Sequence, residues 1–301
     1  MIIENTFQLV ANTPLLRIRG FGIPDQVELY AKLEMMNPCG GIKDRIGLYI
    51  LDDYVSKGIL TPSMTIVEAS AGNTALAVAF AAIKYGIKTI FVIPDKFAME
   101  KRVLLEALGA KVMVTPGNLG MSHAIGVADK IRASMENAIS IKQFENPLNA
   151  EAHREITAKE IKEDLNRLDY FVCGGGSCGT FMGISSGLKE KFEHLKSILV
   201  DPLGSVLGYG DPHPFHIEGL GNFFVPAILD RDHIDEVFKI SDEQAKMMTR
   251  QIAKELGLFV GVSSGANLFA SVEVAKKIKE GVIVTVFFDR GERYLSQSIY
   301  Q

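Results

Sequence analysis

Asn37-Pro38-Cys39-Gly40-Gly41-Ile42-Lys43-Asp44-Arg45 reads as a turn that runs straight into a helix. Asn, Pro and two Gly are loop formers. From Ile42 onward the pattern changes, and Ile46, Tyr49, Ile50 and Tyr54 recur at helical spacing. Lys43 therefore falls in the first turn of that helix, at the positive end of its dipole, where a lysine is least expected. A partly desolvated amine beside a positive end gives up its proton more readily, and a free amine is what imine formation needs. A solvated surface lysine is the plain alternative, and three later stretches weigh against it.

Working outward, the same strand, turn and helix grammar repeats. Residues 1–36 hold a short helix, a turn at Asn12-Thr13-Pro14 and two strands, the second being Val27–Leu33. The helix carrying Lys43 runs to about Lys57-Gly58. Thr65-Ile66-Val67-Glu68 is a short buried strand, followed by an alanine-rich helix that ends at Tyr85-Gly86. Strands at 89–93 and 111–114 alternate with helices at 100–108 and 121–136. Further on come a helix at 149–165, a strand at 170–173, a helix at 181–191 and a strand at 197–200. Residues 201–236 are rich in Gly and Pro, and a long loop of that kind is usually functional. Helices at 241–256 and 264–279 and a strand at 282–288 complete the chain. Regular alternation predicts an α/β architecture with largely parallel twisted sheets flanked by helices. The 301 residues suggest two domains.

Three further strand-to-helix turns carry the chemistry. In Gly174-Gly175-Gly176-Ser177-Cys178-Gly179-Thr180 the glycines let backbone N–H groups converge on an anion, and the following helix adds positive potential. Ser177 and Thr180 contribute hydroxyls. No Gly-Lys-Ser/Thr follows, so this is not a Walker loop, and the glycine spacing departs from the dinucleotide fingerprint. Ser70-Ala71-Gly72-Asn73-Thr74 offers N–H groups and hydroxyls to a carboxylate, with Asn73 placed to bond a ring hydroxyl. Gly261-Val262-Ser263-Ser264-Gly265-Ala266 places hydroxyls at the lip of another helix, where an N-cap is the simple alternative.

Composition removes several function classes. Net charge is −4 and the basic residues are spread out, which gives no nucleic-acid footprint. The three cysteines, Cys39, Cys173 and Cys178, form no CxxC pair, which argues for a reducing, cytoplasmic setting and against a zinc site or a disulfide framework. The N-terminus lacks a basic, apolar leader pattern, and no uncharged apolar run reaches membrane-spanning length.

Taken in order, the four turns resemble the cysteine synthase and cystathionine β-synthase family of pyridoxal-phosphate enzymes, fold type II. The resemblance spans essentially the whole chain. The Asn-Pro-x-x-x-x-Lys-Asp-Arg block appears at 37–45. The Ser-Gly-Asn-Thr loop appears at 71–74 with Ala71 in place of serine, and the Gly-x-Gly-Gly-Thr cup at 176–180 with Cys178 in place of a glycine. Gln143-Phe144-x-Asn146-Pro147, Glu218-Gly219-x-Gly221, Ser263-Ser264-Gly265-Ala266 and Glu292-Arg293-Tyr294-Leu295-Ser296 also match. The resemblance implies pyridoxal 5′-phosphate as cofactor, Lys43 as its Schiff-base lysine and carrier of the α-proton, and Gly176, Ser177, Cys178, Gly179 and Thr180 as the phosphate cup. It implies Asn73 on the ring hydroxyl, Ser263 at the pyridine nitrogen, and Ser70, Ala71, Gly72, Thr74 and Gln143 on the substrate carboxylate. No metal is expected. It further implies a homodimer, a mobile smaller domain at 38–142, and a larger one built from 1–37 plus 143–301 that carries the cup.

The family fixes β-elimination from a small amino acid to an aminoacrylate, not what leaves or adds. Ala71, Ala75, Cys39 and Cys178 depart from the usual pattern, and Cys39 is either a reactive thiol or a small filler. Asp232, in Leu229-Asp230-Arg231-Asp232-His233-Ile234-Asp235, stands where relatives carry a neutral or basic residue. A carboxylate near the mouth can act as general base on a water. The expected reaction is then a cysteine hydroxyl-lyase, L-cysteine plus water giving L-serine and hydrogen sulfide. Cysteine synthase (O-acetylserine plus sulfide) and cystathionine β-synthase are the alternatives, with lanthionine formation a third outcome. A solvated loop carboxylate is the bland reading of Asp232, as surface positions are of His213, His216 and His233.

Overall fold

The computed structural model describes residues 2–70, 72–95 and 99–301. In chain order, a 3-10 turn at Thr6–Leu9 precedes strands β1 (Leu15–Ile18) and β2 (Val27–Leu33). There follow α1 (Lys43–Ser56), β3 (Thr65–Ala69), α2 (Asn73–Tyr85), β4 (Lys88–Pro94) and α3 (Met99–Ala107). Next come β5 (Lys111–Thr115), α4 (Gly120–Ala133) and the two-residue β6 (Ala138–Ile139). A helical run follows, made of α5 (Leu148–Ala152), a π-helical stretch His153–Ala158 and α6 (Lys159–Asp164). The rest is β7 (Tyr170–Gly174), α7 (Gly179–Lys189), β8 (Lys196–Pro202), β9 (Glu236–Ile240), α8 (Asp242–Leu256), α9 (Val262–Ala275) and β10 (Gly281–Phe287).

The chain folds into two compact units. One comprises Met1–Val10 and Asn37–Leu148, the other Ala11–Met36 and Asn149–Gln301. The first takes in more than the expected 38–142, for reasons of side-chain chemistry. Asn146 Nδ2 donates to Tyr54 Oη and to the Ile141 carbonyl, both at 2.9 Å, and Phe7 packs on Phe80 with ring centroids 5.0 Å apart. Its sheet has the order β5-β4-β3-β6, all parallel. Val67 and Val92 on the sheet bury against Ala124 and Ala128 of α4. Small residues also set the α1–α2 spacing: a Cβ on Gly47 would sit 2.6 Å from the Ala77 carbonyl oxygen. Helix α2 stops at Gly86, whose left-handed φ of 63° a side chain would resist.

The second unit holds a six-stranded sheet, β1-β2-β10-β7-β8-β9, parallel throughout except for the β1–β2 edge pair. Its central strands read as continuous apolar runs, as expected of a parallel sheet covered on both faces; Phe171, Val172, Ile283, Val284 and Val286 are fully buried. Two sequence expectations are corrected here. The helix at 149–165 is interrupted by a π-helical stretch, His153–Ala158, that packs along α7. Strand β9 was not expected: it takes the last residue of the supposed 201–236 loop and the four that follow, paired with β8 from Ile198↔Glu236 to Pro202↔Ile240. Strand β9 is only half-buried along most of its length, so it lacks the apolar run that marked the other strands.

Candidate active-site elements

In parallel α/β sheets, ligand-binding loops gather at the carboxyl ends of the strands. In the second unit, β7 ends at Gly174 and the chain enters a glycine turn before α7. The turn is pinned from below. Gly174 N donates to Asn267 Oδ1 at 2.8 Å, and Asn267 Nδ2 donates to the Val286 carbonyl at 2.8 Å. The Gly175 carbonyl accepts from Gly221 N at 2.7 Å, and the Gly176 carbonyl from Asn222 Nδ2 at 2.5 Å. Only glycine permits this approach: a Cβ on Gly176 would lie 2.6 Å from the Gly219 oxygen. Those two carbonyls are engaged by the 219–222 loop, and the turn leads directly into α7. That helix has no side-chain cap, and its N-cap, Cys178, sits at a left-handed φ of 66°. Ser177 and Thr180 are 6% and 5% exposed.

Helix α7 carries Gly179, Gly183 and Gly187, one per turn, against the run that begins with α5. A Cβ on Gly179 would collide with the Asn149 amide, one on Gly183 with the Ala150 carbonyl, and one on Gly187 would lie 2.7 Å from Ala158 Cβ. Backbones this close bring side chains of the neighbouring run onto the cup. Asn149 Nδ2 donates to Ser177 Oγ at 3.0 Å, and His153 Nε2 lies 3.1 Å from Thr180 Oγ1. Neither Asn149 nor His153 was singled out from sequence. The spacing Gly179-x-x-x-Gly183-x-x-x-Gly187 was the available signal for a close helix contact.

On α9 the loop Gly261-Val262-Ser263-Ser264 forms the first helical turn, two residues earlier than expected. Ser263 is 4% exposed, and Ser264 Oγ accepts from Phe288 N at 2.9 Å, which fixes that turn against the end of β10.

In the first unit, Lys43 is the first residue of α1 and is half-buried. Its preceding turn is tied down by Asp44, whose Oδ2 accepts from Cys39 N at 2.7 Å. Cys39 is thus held in the turn and partly covered. Strand β3 ends at Ala69. Ser70 is buried, Gly72 is the N-cap of α2, and Asn73 and Thr74 are its first residues. Helix α2 has no side-chain cap and no acidic residue in its first turn, so its N-terminus favours an anion. Ala71 lies outside the described residues. Thr74 Oγ1 donates to Gln143 Oε1 at 2.6 Å, which joins two residues assigned to the same carboxylate. The segment before Gln143 is held by Glu68, whose Oε1 accepts from Ser140 Oγ at 2.8 Å, Ile141 N at 2.5 Å and Lys142 N at 3.2 Å. Burial pushes the Glu68 carboxyl above its ordinary value, against the pull of those three donors.

Asp232 lies exposed in a 3-10 turn, Arg231–His233, of the second unit, with its N donating to Asp230 Oδ1 at 3.0 Å. Arg231 fastens that turn to the Val206 and Leu207 carbonyls. His213 is exposed, His216 pairs with Asp242 at 2.8 Å, and His233 with Asp230 at 3.1 Å. Among the described residues no cluster is suited to a metal ion, and no helix is long and apolar enough to cross a membrane.

The cradle fits a phosphate-bearing cofactor: a glycine turn that no Cβ can enter, two buried hydroxyls and an uncapped helix start. Comparison with known proteins agrees. The profile of the pyridoxal-phosphate dependent enzymes matches residues 6–289. The O-acetylserine dependent cystathionine β-synthase of Bacillus subtilis is 43% identical over 302 residues, covering 100% of this chain and 98% of that protein. The crystal structure of O-acetylserine dependent cystathionine β-synthase from Helicobacter pylori superposes with a TM-score of 0.94 at 41% identity, covering 100% of both chains. A hydrogen sulfide-producing enzyme from Fusobacterium nucleatum superposes with a TM-score of 0.91 at 33% identity, covering 97% of this chain and 100% of that one.

Proposed function

The chain belongs to the pyridoxal-phosphate dependent enzymes of the cysteine synthase and cystathionine β-synthase family, fold type II, and from that premise we propose that it performs β-replacement on O-acetyl-L-serine with sulfide or a thiol as nucleophile. The observation that carries the choice of donor is the 43% identity, over the full length, to an enzyme named for O-acetylserine. This reverses the sequence-based preference for a cysteine hydroxyl-lyase.

Bound pyridoxal phosphate supplies the electron sink for bond breaking at Cα. The chain's own residues do the rest. The cup at 176–180 holds the phosphate through N–H groups and the Ser177 and Thr180 hydroxyls. Lys43 Nζ anchors the cofactor and moves the proton from the substrate Cα. Ser263 faces the pyridine nitrogen as a neutral partner; unlike an aspartate it does not hold a proton there, which favours β-elimination over racemisation or transamination. Asn73 bonds the ring hydroxyl. The Ser70–Thr74 turn receives the substrate carboxylate at the start of α2. Because the Thr74 proton is given to Gln143 Oε1, Thr74 orients the Gln143 amide, whose Nε2 is the donor to the carboxylate. As in the family, the working form is a homodimer.

A second reading rests on the similarity to the hydrogen sulfide-producing enzyme. In it L-cysteine is the donor, sulfide leaves, and Asp232 acts as base on an incoming water. One set of assays separates the two: O-acetylserine with sulfide, O-acetylserine with homocysteine, and L-cysteine alone. Rapid turnover of O-acetylserine and little from cysteine alone supports the first reading. Equal amounts of serine and sulfide from cysteine alone, with no use of O-acetylserine, overturns it.

A further inference from the structure

Three side chains behind the cup, Asn149, His153 and Thr157, make two short runs of hydrogen bonds to its hydroxyls that the reaction scheme leaves unexplained. His153 is fully buried. Its Nδ1 lies 3.0 Å from Thr157 Oγ1 and its Nε2 lies 3.1 Å from Thr180 Oγ1. One helical turn before it, Asn149, also fully buried, donates through Nδ2 to Ser177 Oγ. Both residues stand on the run that packs against the glycine row of α7, so their reach is set by backbone contact rather than by flexible side chains.

We propose that His153 and Asn149 are positioning residues that fix the polarity of the cup, making Thr180 and Ser177 outward donors to a dianionic phosphate. The inference rests on the assignment of 176–180 as the phosphate cup. A hydroxyl has one proton to give, and a phosphate dianion offers only acceptors. Ser177 Oγ already accepts from Asn149, so its proton turns outward. For Thr180 to do the same, its Oγ1 must accept from His153 Nε2–H. A neutral imidazole with Nε2 protonated has an accepting Nδ1, and Thr157 supplies the proton to it. The order of donation runs Thr157 hydroxyl to Nδ1, Nε2–H to Thr180, and Thr180 hydroxyl to phosphate. With the opposite tautomer Thr180 would give its proton inward and turn a lone pair toward the anion.

The test uses cofactor affinity and spectroscopy rather than turnover. Apoenzyme is titrated with pyridoxal phosphate for the wild type and for His153→Ala, His153→Gln, Thr157→Val and, as a control on the cup, Ser177→Ala. Losing a charge-assisted hydrogen bond costs about tenfold or more in affinity. We expect such a loss for His153→Ala and Ser177→Ala, a smaller loss for Thr157→Val, and recovery in His153→Gln, whose amide N–H replaces Nε2–H. Nitrogen-15 NMR of histidine-labelled holoenzyme, with the His153→Gln spectrum giving the assignment, should show Nε2 protonated and Nδ1 bare. A His153→Ala protein that binds like the wild type while Ser177→Ala binds weakly overturns the positioning role and leaves the cup standing. A ring protonated at Nδ1 and bare at Nε2 overturns the proposed polarity. Unchanged affinity in Ser177→Ala together with His153→Ala overturns the cup assignment itself.

Discussion

Thr74 Oγ1 donates to Gln143 Oε1 at 2.6 Å across a separation of 69 residues, a span that holds β4, β5 and β6 of the first unit's sheet. The bond spends the threonine proton internally and turns the glutamine amide into a fixed donor. Thr74→Val should therefore raise KM for the amino-acid substrate about tenfold, the scale of one lost hydrogen bond to a charged group. Thr74→Ser should stay within a few-fold of the wild type. Steady-state kinetics at saturating cofactor checks both, and the cofactor's visible absorbance should be unaltered in either variant.

Lys43 opens α1 as a half-buried residue. Replacing it by alanine removes both the cofactor anchor and the carrier of the Cα proton. Lys43→Ala should lose more than about a thousandfold in kcat/KM, within the range of combined nucleophilic and general-base losses. The absorbance band of the lysine-linked cofactor should vanish, while cofactor held through the cup remains detectable by phosphorus-31 NMR.

Glu68 gathers three donors on a single carboxylate oxygen, and burial raises its pKa above the ordinary 4.5. The sign follows from linkage: the folded carboxyl keeps its proton to higher pH than the unfolded one, so its contribution is present below 4.5 and is lost as pH rises through the raised value. Glu68→Gln keeps an oxygen for all three donors and removes the charge. The melting temperature of Glu68→Gln, relative to wild type, should therefore rise with pH across that window. A constant difference between the two curves contradicts the account.

Gly183 faces the Ala150 carbonyl and the His153 Cβ across the α7 contact. Gly183→Ala gains helix propensity but forces the backbones apart, an overpacking cost of about 1–3 kcal/mol. Thermal denaturation should show a lowered melting temperature. Cofactor affinity should fall as well, because Asn149 and His153 retreat from Ser177 and Thr180.

Much of this architecture was legible in the sequence because local and global signals agree. Strand Val27–Leu33 has the expected ends, and α8 begins where Ser241 and Gln244 form a capping box. The four turns became legible because their order along the chain matches a family pattern; taken singly, the 70–74 and 261–266 turns say little. What stayed hidden depends on distant partners. Strand β9 is defined by the edge of β8, and its own residues alternate weakly. The π-helical stretch at His153–Ala158 is set by packing against α7, which helical periodicity over 149–165 does not encode. Gln143 entered only through family resemblance, since no local pattern links it to Thr74. Asn149 and His153 read as ordinary polar residues of a helix until a glycine row in another helix makes them part of the cup.

Strand β2 lies between β1 and β10, and Val27 is aligned with Gly281. On a ribosome this has a temporal meaning. At about 5–20 residues per second, the first hairpin must wait on the order of 10–50 s for the strand that completes its sheet. The first unit, encoded in between, is finished well before then. Nascent chains of this protein therefore carry an open β2 edge through most of their synthesis.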